Sequence, residues 1–274
     1  MTLRIDGTLL LAGAGNMGLA MLAGWLERGL DPRCIVVQDP NPPARARELM
    51  QEHGIDLRSA VGSMREPPAV LVVAIKPQAM DAVFPALAQL ARKSTLVLSV
   101  AAGRTIDGFE RHLPKGTAVV RSMPNTPASI GRGITAAAAN THVTAAQRAT
   151  CDALLRAVGE VVWVEEEGLL DAVTAVSGSG PAYVFYLAEC LAEAGIKAGL
   201  APELAHKLAR WTVSGAGELL HRSDLPPGLL RQNVTSPNGT TFAALQVLMA
   251  DDGLAKLMRE AVAAATRRSR ELAQ

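Results

Sequence analysis

The chain has 274 residues, about half of them apolar, which is enough for one large domain or two ordinary ones around a sizeable core. Lys plus Arg (27) nearly balance Asp plus Glu (26), and no basic stripe interleaved with aromatics appears, so a nucleic-acid partner is not expected. The opening from Met1 to Gly7 is short and polar without a signal-peptide core, and the longest apolar runs fall far short of the ~18 residues of a membrane span, so a cytoplasmic protein without a membrane partner is expected.

In chain order, Thr8 to Ala12 reads as a strand and Asn16 to Arg28 as a helix that stops near Gly29. Cys34 to Gln38 is a second strand, and Ala44 to His53 a helix ended by Gly54. Ala69 to Ile75 is the strongest apolar strand, followed by a helix from Ala79 to Leu90 and a strand from Thr95 to Val100. Ala118 to Arg121 and Ile134 to Ala138 are shorter strands; Ala145 to Val158 is helical, and Glu160 to Val164 closes the series. Continuous rather than alternating apolar strands imply burial on both faces, as in a parallel sheet covered by helices. Strand–helix–strand repetition gives right-handed crossovers and a doubly wound sheet.

After Glu165, Glu166 and Glu167 strand signals vanish. Helical stretches follow from Leu169 to Val176, Pro181 to Gly199, Pro202 to His221, Thr241 to Ala250 and Leu254 to Leu272. The expectation is an α/β chain: a Rossmann-type doubly wound domain over residues 1–164 and an all-helical domain over residues 165–274. With only 3% aromatic residues, Ala, Val and Leu must do most of the packing. Cys34, Cys151 and Cys190 are odd in number and widely spread, which argues for buried reduced thiols against a disulfide framework, and neither they nor the five scattered histidines have metal-ligand spacing. No metal is expected.

The first strand runs straight into Gly13, Ala14, Gly15, Asn16, Met17 and Gly18 and then a helix, the G-x-G-x-x-G pattern in the setting it requires. Gly13 permits the turn off the strand, Gly15 lets the backbone approach a pyrophosphate, and Gly18 lets the helix press on the sheet. The helix start offers unpaired N–H groups to phosphates. An accidental glycine-rich turn would lack the acid that follows: Asp39 ends the second strand about 20 residues beyond Gly18, where a carboxylate binds the adenosine ribose and favours NAD(H). Arg45 and Arg47 follow closely and would suit the 2′-phosphate of NADP(H), or simply form a solvated helix face, so both cofactors stay open.

Four further motifs accompany this loop: Ala74-Ile75-Lys76-Pro77; Arg121-Ser122-Met123-Pro124-Asn125-Thr126-Pro127-Ala128; the stretch from Asp171 to Tyr183 containing Ser177-Gly178-Ser179-Gly180-Pro181; and Val234-Thr235-Ser236-Pro237-Asn238-Gly239-Thr240-Thr241. Together the set resembles the pyrroline-5-carboxylate reductases, from Leu9 to about Leu272 and in the same order. One departure is Asn238, where the family usually has Gly; Asn tolerates a left-handed backbone better than most residues.

The resemblance implies an NAD(P)H-dependent oxidoreductase that reduces the C=N bond of 1-pyrroline-5-carboxylate to give L-proline, the final step of proline biosynthesis. It implies Thr241 beside the imine nitrogen as the catalytic hydroxyl. It also implies a carboxylate site at Ser236, Gly239, Thr240 and Thr241, with Glu167 a polar residue near the substrate. A helix start suits an anion, although capping is an equally common task for Thr. By the same carry-over Ala74, Ile75, Lys76, Pro77, Ser99 and Ala101 line the cofactor, Pro124 and Asn125 lie near the nicotinamide, and Asn233 contacts the cofactor. Glu167 also reads as a surface acid in a run of three. Lys76 has a rival reading as a catalytic lysine, and Ser177 to Pro181, lacking G-x-S-x-G spacing, reads as a helix start.

The resemblance further implies a homodimer or higher oligomer formed through the helical domain; the apolar spacing of Val184, Leu187, Ala188, Leu191 and Ala194 fits an interface or an ordinary core. Two rival readings fit part of the same pattern. A related imine or β-hydroxyacid reductase would want a catalytic lysine, for which Lys197 and Lys207 are available without a matching motif. A dinucleotide-binding regulatory protein could discard Thr240 and Thr241.

Overall fold

Four apolar residues, Leu9–Ala12, form the first strand (β1) of the computed structural model, which describes residues 2–62 and 64–272. Met1 and Gln274, the outer ends of the two expected domains, lie outside the described residues. Helix α1 (Asn16–Glu27) follows, then β2 (Ile35–Gln38), α2 (Ala44–Glu52), β3 (Asp56–Arg58), β4 (Val70–Val73), α3 (Met80–Ala88) and β5 (Leu96–Ser99). Next come α4 (Ile106–Glu110), β6 (Ala118–Met123), β7 (Gly133–Ala139), α5 (Ala145–Arg156) and β8 (Gly159–Trp163).

Strands β1, β2, β4 and β5 are buried along their whole length, as a sheet covered on both faces demands. Period-2 alternation sorts their side chains. Leu9 and Leu11 join Met21, Leu22 and Trp25 of α1 on one face; Leu10 and Ala12 join Phe84 and Leu87 of α3 on the other. The indole N–H of the fully buried Trp25 donates to the Leu154 carbonyl at 2.9 Å, so the largest side chain of the core leaves no polar atom unpaired. On the opposite face Phe84 and Phe109 meet edge to face, ring centroids 4.9 Å apart.

The eight strands lie in the order β3-β2-β1-β4-β5-β6-β7-β8. From β3 to β6 every pairing is parallel, with the chain winding outward in both directions from β1. The doubly wound sheet is therefore present, with a reversed far edge: β7 runs antiparallel to β6 and β8 parallel to β7. The link from β6 to β7 holds only a 3-10 turn, Thr126–Ile130, which is too short for the crossover that a parallel partner needs. Two elements of this half go beyond the sequence reading. Strand β3 is short, charged and at the sheet edge, so no apolar run marks it. Helix α4 is five residues long, and its N-cap is Thr105, whose hydroxyl accepts from the Gly108 N–H at 3.1 Å.

The remaining elements are helices: α6 (Leu169–Val173), a π-helical turn over Thr174–Gly178, α7 (Gly180–Lys197), α8 (Pro202–Arg222), α9 (Pro227–Asn233), α10 (Thr240–Leu248) and α11 (Leu254–Leu272). Pro181, Pro202 and Pro227 all stand in first turns, where a missing N–H costs nothing. Sequence texture changes near Val164. Contacts divide the chain further on, into one unit running to Gly178 and rejoined from Ala265, and a second unit, Ser179–Ala264. The rejoining is specific: the Ser269 hydroxyl donates to the Asp171 carboxylate at 2.7 Å.

The cysteines form no disulfide. Cys151 is buried, and that burial pushes its thiol up; Cys34 and Cys190 are only partly covered, so the expectation of buried thiols holds for Cys151 alone.

Candidate active site

Parallel strands present their carboxyl ends along one edge, and in a doubly wound sheet ligands collect where the winding reverses. Here the reversal falls at β1, between β2 and β4. Four loops leave adjacent strands on that edge: residues 13–18 after β1, 74–77 after β4, 99–101 at the end of β5 and 124–125 after β6. The order β1-β4-β5-β6 thus lines up the glycine loop, Ala74 to Pro77, Ser99 and Ala101, and Pro124 with Asn125.

The glycine loop is built as its spacing predicts. Gly13 has φ +96°, and a Cβ there would stand 2.6 Å from the Ala74 carbonyl oxygen. A Cβ on Gly18 would collide with the Gly13 carbonyl. Gly15 differs, because a Cβ on it would meet nothing within 4 Å. The loop is closed toward the protein at Gly13 and Gly18 and open at Gly15. Gly15 is also the N-cap of α1 without any side-chain cap, so the first-turn amides of Asn16, Met17 and Gly18 keep their capacity for an anion. These features fit a dinucleotide.

Asp39 does more than its position suggested. One carboxylate oxygen accepts the Ala14 N–H at 2.7 Å and the other the Asn41 N–H at 2.8 Å, so the acid braces the glycine loop. A carboxylate has about four lone-pair sites, which leaves capacity for ribose hydroxyls. Arg47 is turned to its own loop, donating to Pro42 O and Asn41 Oδ1 at 3.0 Å each, and Arg45 is exposed.

Lys76 is exposed and is the N-cap of the 3-10 turn that begins with Pro77. Ser99 is fully buried, its hydroxyl accepting the Ala101 N–H at 3.2 Å and its carbonyl accepting the Ser122 hydroxyl at 2.8 Å. Asn125 is a three-way tie: its amide donates to Ser177 O at 3.1 Å and accepts the Ile134 N–H at 3.0 Å. The π-helical turn containing Ser177 is thereby fastened to the edge of the sheet; such turns are frequent at functional sites.

Glu167 lies in the sheet-bearing unit. Glu165 and Glu166 are exposed, but Glu167 turns inward, its Oε1 accepting from Arg121 Nη1 at 2.8 Å and from the Ile106 N–H at 2.9 Å. Arg121, to which its motif assigns no role, is 5% exposed, on an inner strand of the sheet. An arginine in a strand headed by Ala118, Val119 and Val120 was the signal.

The helical unit carries the other residues. Asn233 is the last residue of α9, and the chain then turns through Thr235, whose hydroxyl donates to Arg231 O at 2.7 Å. Gly239 donates its N–H to Ser236 O at 3.0 Å, so that amide is spent inside the turn. Asn238 takes φ +56°, the left-handed conformation that its glycine counterpart would take freely. Helix α10 begins at Thr240 with Gly239 as N-cap and no side-chain cap, and its first bond runs from Ala243 N to Gly239 O. The first-turn amides of Thr240 and Thr241 are therefore open to an anion, with Ser236 exposed nearby in sequence. Among the described residues no cluster of three or more His, Cys, Asp or Glu could hold a metal ion.

A family model described as pyrroline-5-carboxylate reductase dimerisation matches residues 167–272, and one described as NADP oxidoreductase, coenzyme F420-dependent, matches residues 8–103. A pyrroline-5-carboxylate reductase of Pseudomonas aeruginosa is 41% identical over 262 residues, covering 96% of this chain and 95% of the relative. The solved structure of a pyrroline-5-carboxylate reductase from Coxiella burnetii matches with TM-score 0.90 at 34% identity, over 98% of this chain and 100% of that one. That of the Plasmodium falciparum pyrroline carboxylate reductase with NADP bound matches with TM-score 0.81 at 26% identity, over 98% and 99%.

Proposed function

The chain belongs to the pyrroline-5-carboxylate reductase family, and from that premise we propose how its own residues serve the reduction of 1-pyrroline-5-carboxylate to L-proline, the final step of proline biosynthesis. The cofactor is NADPH or NADH, held by the glycine loop, and when bound it supplies the hydride that reaches the imine carbon.

The amides opening α1 take the pyrophosphate, with Asp39 holding Ala14 in place and its spare lone pairs facing the ribose. Residues 74–77, Ser99, Ala101, Pro124, Asn125 and Asn233 line the cofactor, with Pro124 and Asn125 on the nicotinamide side. Ser99 and Asn125 act there by holding the backbone, Ser99 through Ala101 and Asn125 through Ile134 and Ser177.

The substrate carboxylate takes the amides of Thr240 and Thr241 and the Ser236 hydroxyl, with the N-terminal partial charge of α10 adding attraction. Gly239 contributes the turn, its own N–H being committed to Ser236. The Thr241 hydroxyl contacts the imine nitrogen. It is too weak an acid to protonate an imine, so it orients the protonated C=N bond and keeps its N–H paired while the carbon accepts hydride. A second copy of the chain covers the exposed apolar residues of the helical unit, and the enzyme works in the cytoplasm.

The observation that carries this reading is the uncapped start of α10, two threonines opening a helix after a left-handed Asn238 and the N-cap Gly239. A steady-state assay with 1-pyrroline-5-carboxylate, run in parallel with NADH and NADPH, tests it. Proline formation coupled to oxidation of either cofactor is expected. Dinucleotide binding without any imine-dependent oxidation would overturn it.

A further inference from the structure

Glu167 and Arg121 are 46 residues apart, and their contact belongs neither to the starts of α1 and α10 nor to the glycine loop. We propose that they are a positioning pair for the dinucleotide, holding the loop of residues 100–105 between the segments that line the cofactor. The proposal rests on the reading of the glycine loop as a dinucleotide site.

Consecutive residues of a strand point to opposite faces, and β6 uses two of them on the same neighbour. Ser122 donates its hydroxyl to the Ser99 carbonyl at 2.8 Å, fixing the loop where it leaves β5. Arg121 reaches Glu167 at 2.8 Å, and the same Glu167 oxygen accepts the Ile106 N–H at 2.9 Å, fixing the loop where it enters α4. The Thr105 cap satisfies Gly108 and leaves Ile106 to Glu167. Both ends of the loop are thus pinned to β6, the strand that runs into Pro124 and Asn125.

The middle of the loop is also tied. Gly103 has φ +71°, and Arg104 donates to the Asp81 carboxylate at 2.7 Å and to Pro77 O at 3.4 Å. Residues 100–105 therefore bridge the segment ending at Pro77 to the segment beginning at Ser99. A shift at Ile106 is passed to both. Arg121, at 5% exposure, cannot swing out to water when its partner is lost, so the loop must move instead.

One ligand hydrogen bond lost when a binding segment shifts is worth up to about tenfold in affinity. Dinucleotide affinity, read by fluorescence titration with NADPH and NADH on the full chain, is therefore expected to fall about tenfold in Glu167→Ala. The KM for the cofactor rises in parallel, while the KM for 1-pyrroline-5-carboxylate stays within about twofold. Glu167→Gln keeps an oxygen for both donors and returns affinity to within about threefold. Where Glu167→Ala does not fold because Arg121 is left as a lone buried charge, the double variant Arg121→Met, Glu167→Leu removes both charges and shows the same loss.

Affinity within twofold of the parent in Glu167→Ala or in the double variant overturns the proposal. So does equal loss in Glu167→Gln and Glu167→Ala, and so does a raised KM for the imine with cofactor affinity unchanged, which would assign Glu167 to the substrate. A parent chain that binds NADPH yet reduces no imine would undo the functional reading and leave this binding comparison intact.

Discussion

The two units of this chain bury their apolar residues to very different extents. In the sheet-bearing unit Leu9, Val72 and Leu98 are 0% exposed, whereas in the helical unit Phe185 is 64%, Trp211 70% and Val247 73% exposed. Among the described residues of the helical unit, only Ala192, Ala205 and Ala209 reach the buried apolar class, all small and each able to bury little area. Covering apolar surface is worth roughly 25 cal/mol per Å². The first unit collects that free energy within one chain. The second holds it in reserve on helices whose outward faces are leucine, phenylalanine and tryptophan, which agrees with the dimerisation family that matches residues 167–272. The stripe of Val184, Leu187 and Leu191 is accordingly not a core of this chain: all three are exposed.

The sharpest way to break that contrast is to truncate one large residue on each side of it. Leu98→Ala in β5 should cost about 2–5 kcal/mol of stability, the range for cavities in packed cores, and by the same amount at every protein concentration. Trp211→Ala in α8 should instead weaken association. Chemical denaturation over a hundredfold range of protein concentration, with the mass in solution followed by light scattering, distinguishes the two. A parent protein that is monomeric and concentration-independent would remove the contrast.

Next in size is a functional separation. Thr241→Ala should lower kcat about 100-fold, equivalent to about 2.7 kcal/mol, while leaving dinucleotide affinity unchanged. Near-normal turnover would take Thr241 out of the chemistry. The smallest effect is expected at Asn238. Asn238→Ala should cost about 1 kcal/mol because alanine is strained at positive φ, whereas Asn238→Gly should fall within about 0.5 kcal/mol of the parent, as read from thermal midpoints.

Much of the sheet was legible because burial on both faces writes itself as an uninterrupted apolar run; β1, β4 and β5 were read to within two residues at each end. The glycine loop was legible because each glycine answers a separate steric demand at fixed spacing. What escaped lacked a local signature. Strand β3 exists because β2 offers it an edge, through pairs such as Val37 with Leu57, and its own residues are mostly charged. Helix α9 hides behind a pair of prolines and a glycine. The direction of β7 is set by a short link, and apolarity carries no arrow. Thr240 and Thr241 were singled out by family likeness, and the structure adds the uncapped helix start that makes such a choice physically sensible. Asp39 was expected to face a ribose, and its grip on Ala14 became visible only once β1 and β2 were side by side. The tie between Arg121 and Glu167 spans 46 residues and was beyond any local reading.

The return of α11 to the sheet-bearing unit has a consequence for how the protein is made. Ser269 contacts Asp171, and a side chain added at Gly103 would press on the backbone of Leu272. During translation, therefore, the ribosome delivers all of residues 179–264 before the piece that closes the earlier unit emerges. The nascent sheet-bearing unit waits, with Asp171 and Gly103 still uncovered, while the stickiest surface of the polypeptide is being extruded. Chaperone demand should peak in that interval.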